Sequence, residues 1–190
     1  MQDSVKIENL PENEKNAVVE SVNKAVNFAV EKLNEDQAGE YYFKLGDVRV
    51  YFNGDGKADL HVTIYYVTKF MEISWAISEA LDPEELGVSE EELEKMFDEA
   101  YQEQLEEIND EYGIYMDSDI RLDLGSVYDG LSELVINTSP VTCERDYCEV
   151  GLEIKLHFKN ASIEFLKENG ALLWSIIYDA VDRVVRLALL

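Results

Sequence analysis

Basic residues are scarce in this chain, and their scarcity excludes more than any motif it carries. Sixteen Lys and Arg stand against forty-one Asp and Glu, a formal charge of −25 over 190 residues. DNA, RNA and anionic membrane surfaces repel such a field within the screening length, so direct nucleic-acid binding is not expected. Prolines number three and glycines ten, too few for a low-complexity chain. The two cysteines, Cys143 and Cys148, have no histidine near them, which argues against zinc; across the base of a hairpin they could form a disulfide. Histidine is equally rare. His61 and His157 each sit in a strand-like stretch with no motif around them, which reads as a structural or solvent-facing role. There is no Gly-x-Ser-x-Gly elbow, phosphate loop, Rossmann glycine pattern or His-Glu-x-x-His, so no cofactor is implied and a non-enzymatic role is expected. Carboxylate pairs arise by accident among forty-one acids and carry no glycosidase signal. No charge-free apolar run reaches bilayer length; the nearest, Ala171 to Leu190, is broken by Asp179, Asp182, Arg183 and Arg186. Met1 to Glu14 is polar and acidic, without the apolar stretch of a secretory signal, and a cytoplasmic location is expected.

What remains is a well-patterned globular chain, 46% hydrophobic and 11% aromatic, enough to build a core despite the charge. Val18, Val22, Ala25, Val26, Ala29, Val30 and Leu33 recur at helical spacing between Pro11 and Asn34. Tyr41 to Phe52 and Ala58 to Lys69 alternate around Asn53-Gly54-Asp55-Gly56, a β-hairpin pattern. A short helix is predicted through Ile73, Ile77, Ala80 and Leu81, ending at Pro83. Ser89 with Glu92 forms a capping box that opens a helix ending at Gly113. Strands are predicted at Asp119–Leu124, Leu131–Asn137 and Tyr147–Phe158, followed by a helical region capped by Asn160 and broken at Gly170.

Two stretches recur. Leu33-Asn34-Glu35-Asp36 matches Ile108-Asn109-Asp110-Glu111, and Asp47-Val48-Arg49-Val50 matches Asp119-Ile120-Arg121-Leu122. The predicted fold is therefore α+β, a tandem duplication of a helix–β-hairpin or small antiparallel sheet–helix unit. Residues 1–83 form the first repeat and 84–190 the second, with an extended C-terminal helix. The second repeat's order, helix, three strands, helix, resembles that of double-stranded-RNA-binding domains in topology alone, since it lacks their basic stripe.

Four features carry functional expectations. From Glu84 to Glu111 the chain has thirteen acids and one base, Lys95. Like charges four residues apart there, such as Glu99 with Glu103, oppose one another by about 0.2–0.5 kcal/mol per pair. Glu91, Glu94, Asp98, Glu99, Glu103, Glu106, Glu107 and Asp110 are the candidate face for a basic protein partner. An acidic interaction protein of this kind would suit an inhibitor, a DNA mimic or a mobile-element product; a solvated face is the plain alternative. The helix Ala171–Leu190 is apolar over most of its circumference. It is either wrapped by the protein or offers Trp174, Ile177, Val181, Val184 and Leu187 to a homo-oligomer. Asn53-Gly54-Asp55-Gly56-Lys57-Ala58-Asp59-Leu60 resembles the calcium loop of FG-GAP propeller repeats and, more loosely, an EF-hand loop. That resemblance implies a cation held by Asn53, Asp55 and Asp59, although Tyr51 replaces the opening Asp and no closing Glu follows. An enzyme whose site assembles without a local motif is the remaining alternative.

Overall fold

The computed structural model describes residues 10–37, 41–73, 77, 81, 83–141 and 147–189. Helix α1 (Glu12–Glu35) starts after Pro11, whose fixed φ suits a helix entry, and buries the apolar stripe read in the sequence, with Val18, Val22, Val26 and Ala29 wholly enclosed. A hairpin follows, β1 (Tyr42–Gly54) and β2 (Lys57–Glu72). Gly54, Asp55 and Gly56 all have positive φ (82°, 51° and 69°) at its tip, which is why Gly and Asp stand there. Past β2, Ile77 donates to the Ile73 carbonyl and Leu81 to the Ile77 carbonyl, the helical spacing expected from the sequence. Ala80 lies outside the described residues. A single turn, α2 (Pro83–Leu86), leads to α3 (Glu90–Tyr112). The Ser89–Glu92 capping box is formed in both directions. Strands β3 (Ser118–Asp123), β4 (Glu133–Val141) and β5 (Tyr147–Ser162) come next, then α4 (Ile163–Glu168) and α5 (Gly170–Ala188). The helix cap is Ser162, not Asn160. Asn160 takes φ 50° in a β-bulge, while the Ser162 hydroxyl accepts the Phe165 N–H.

The five strands among the described residues join one antiparallel sheet in the order β1-β2-β5-β4-β3. The two halves of the sequence therefore share a single sheet through the long β2–β5 pairing. Leu60, Val62, Ile64 and Tyr66 pair with Phe158, Leu156, Ile154 and Leu152. All eight point to one side and are essentially solvent-free, beneath α1, α4 and α5. Further along β2 and β5, a smaller cluster of Ile73, Ile77, Cys148 and Val150 receives α3 through Phe97, Tyr101, Leu105 and Ile108. The Thr68 hydroxyl donates to the Val150 carbonyl at 2.7 Å, with the Tyr112 carbonyl 3.3 Å away, so the end of α3 lies against the sheet.

The recurring Asp-apolar-Arg-apolar stretches occupy the sheet's two edge strands and end the same two cross-strand rows. One row runs Arg49–His61–His157–Val135–Arg121, the other Asp47–Thr63–Lys155–Asn137–Asp119. Four antiparallel steps separate β1 from β3, so the two run in the same direction. A two-fold axis normal to the sheet would reverse one of them. An axis along the strands would place the motifs on opposite faces, and they share one. The recurrence is not a two-fold symmetry of the sheet. The matched helices also differ in depth: α1 buries seven residues, α3 only Ile108.

Candidate functional site

One face of the sheet is roofed by helices and the other is polar. On the polar face, β2 contributes Asp59 and His61 and β5 contributes His157, with His61 directly opposite His157 in the register. Their rings approach to 3.9 Å between centroids at a 42° tilt, and the edge of Tyr51 closes on His61 at 5.0 Å. Asp59 is placed by a backbone irregularity. Between the pairs Ala58–Ala161 and Leu60–Phe158, β5 carries one extra residue, and the bulge frees the Asn160 N–H. Asp59 Oδ1 accepts that N–H at 2.8 Å and the Asn53 side-chain amide at 2.8 Å, while Oδ2 lies 3.3 Å from His157 Nε2. Both Asp59 and His157 are about a quarter exposed (27% each).

These contacts set the charge states. Burial pushes the Asp59 carboxyl up, but the Asn160 N–H, the Asn53 amide and His157 together outweigh it, leaving its pKa below the ordinary aspartate value. His61 is pulled below the usual imidazole value by burial first and by the neighbouring His157 second, with Asp59 opposing. Among the described residues, Asp59, His61 and His157 form a group whose ligand atoms all lie within 4.8 Å of one another.

Of the residues expected to hold a cation, Asn53 and Asp59 are in contact, but as hydrogen-bond donor and acceptor. Asp55 is exposed at the tip of the hairpin. Of the two histidines without a motif around them, His157 lies against Asp59 and His61 packs its ring on that of His157. No local signal could have joined them, because the pairing spans 96 residues of sequence (157 − 61).

The acidic helix is the second place of interest. Glu91, Glu94, Asp98, Glu99, Glu103, Glu106, Glu107 and Asp110 are all exposed. Charge compensation differs sharply between the two long amphipathic helices. On α1, Lys24 meets Glu20 at 2.8 Å and Lys32 meets Glu35 at 2.5 Å, with Lys32 in the last turn. On α3 the ion pair is Lys95 with Glu99 at 3.8 Å, and the last turn has no base. Asp110 and Glu111 thus face the negative end of the helix dipole uncompensated.

Of the self-association candidates on α5, Ile177, Val181 and Val184 are buried in the protein's own core (0%, 0% and 1% exposed). Trp174 is half-buried against Phe28 and Tyr178, and Leu187 is exposed. The apolar circumference of α5 is thus largely consumed by the protein itself. Among the described residues, no helix is long and apolar enough to cross a membrane. Cys148 is buried and disulfide-bonded; Cys143, the other cysteine of the pair expected from the sequence, lies outside the described residues. No protein-family model, curated protein or solved structure matches this chain.

Proposed function

We propose that this protein is a non-enzymatic binding protein whose helix α3 docks a basic protein. The observation that carries the reading is the uncompensated charge of α3. Its eight candidate acids are exposed, its last turn opposes the helix dipole, and its seat on the sheet uses a narrow apolar seam. Among the described residues, no ion pair ties those eight acids to another element, whereas α1, a helix of similar length in the same chain, pairs acids with bases along its surface. A cation-rich surface laid along α3 would relieve the repulsion between acids spaced four apart and gain by electrostatic steering. Duplication of an ancestral helix–hairpin unit would explain the recurring sequence, but the proposal does not depend on it.

The test compares the wild type with a variant carrying Glu94→Gln, Glu99→Gln, Glu103→Gln and Glu107→Gln. Each is used to capture proteins from the native cell extract over a series of salt concentrations. The expected result is a basic protein retained by the wild type, released as salt rises, and not retained by the variant. Equal capture by both, or capture insensitive to salt, would sink the docking role of α3.

A further inference from the structure

The geometry points to a divalent transition-metal site on the polar face of the sheet, formed by Asp59, His61 and His157. Two imidazoles and one carboxylate are a donor set suited to zinc or a neighbouring first-row ion, whereas calcium favours an all-oxygen shell. Spacing agrees with the chemistry. Metal–ligand bonds of about 2.0–2.2 Å in a tetrahedral shell put neighbouring donor atoms about 3.3–3.6 Å apart. Asp59 Oδ2 and His157 Nε2 already stand 3.3 Å apart, and the third donor lies within 4.8 Å of both. Completing the shell therefore requires the His61 nitrogen to close by no more than about 1.5 Å.

The surroundings prepare the ligands as well as position them. Asp59 Oδ1 is held by the Asn53 amide and the Asn160 N–H, so Oδ2 remains turned toward the imidazoles. The cluster sits on paired strands, not on a loop, so its backbone is fixed by the β2–β5 register before any ion arrives. Its outer side opens to solvent, leaving a coordination position for water. This site is separate from α3 and stands whether or not α3 docks a partner.

The experiment is calorimetric titration of zinc chloride into the untagged, chelator-washed protein, with calcium in excess to occupy scattered surface carboxylates. One zinc per chain is expected, with affinity falling at least about 100-fold in His157→Ala and in His61→Ala, and about tenfold in Asn53→Ala, whose amide only orients the carboxylate. Because a substituted strand could misfold, the wild type is also followed by imidazole nitrogen NMR. One equivalent of zinc should shift the ring signals of both histidines. Three results would overturn the site: no stoichiometric zinc binding, binding unchanged in both histidine variants, or histidine signals that stay still while zinc binds elsewhere.

Discussion

Asp59 and His61 stabilise the fold in the same direction of pH but in different windows. The folded pKa of His61 lies below its ordinary value, so its contribution is complete above about pH 6.5 and is lost as pH falls through the folded value. Asp59 is also depressed, and its contribution persists until the acid range below about pH 4. Urea-denaturation midpoints measured from neutral to acid pH should therefore fall in two stages. His61→Gln should flatten the first stage and leave the second; a variant that still shows both would mean that another group titrates. Gly151 makes a different demand. It pairs with Val67 beside the β2 bulge, and a Cβ there would collide with the Tyr66 carbonyl. Gly151→Ala should cost about 1–3 kcal/mol by denaturation, because backbone and not a flexible side chain must move. An unchanged midpoint would show that the strands part easily there. Neither role was legible in the sequence. The loop resemblance points Asp59 at a cation in the turn, and nothing local marks Gly151, since both roles depend on strands brought together from distant parts of the chain.

Among the elements, the helices and strands follow their local signals closely. The Ser89 capping box, the stripe of α1 and the Asn-Gly-Asp-Gly turn lie within short windows, where propensity and periodicity dominate. What periodicity could not show is depth. Phe97, Tyr101, Leu105 and Ile108 of α3 recur at helical spacing as the stripe of α1 does, yet the first set rests on a satellite cluster and the second is sunk into the main core. Shallower burial should make α3 the less protected helix. Native-state hydrogen exchange is expected to show α3 amides exchanging well before those of α1 at Val22 to Val30. Comparable protection in both would mean that the satellite cluster holds α3 as firmly as the core holds α1. The end of α5 illustrates the same limit. Its broad apolar surface admitted two readings, and the packing of α1, α4 and the sheet around it decides for burial of Ile177, Val181 and Val184.

For the molecule as a whole, the sheet order joins the two halves and the charge divides them. The class, α+β, was readable from the order of elements. The crossing from β2 to β5 was not, because antiparallel partners far apart in sequence leave no trace in either strand's own pattern. A net charge of −25 repels itself in the folded state, so moderate salt should raise the thermal midpoint by screening. Insensitivity to salt would mean that the acids stand too far apart to repel one another appreciably in the folded state. Much of the repulsion that can be relieved lies on α3, which bears on whether its charge belongs to the fold or to a partner. Urea denaturation of the protein with Glu94, Glu99, Glu103 and Glu107 all changed to Gln decides between them. Gln keeps the helix propensity of Glu and removes like-charged neighbours, so a midpoint equal to or above that of the wild type is expected. A midpoint well below it would mean that these carboxylates hold α3 in place, and the surplus charge could no longer be assigned to a binding partner.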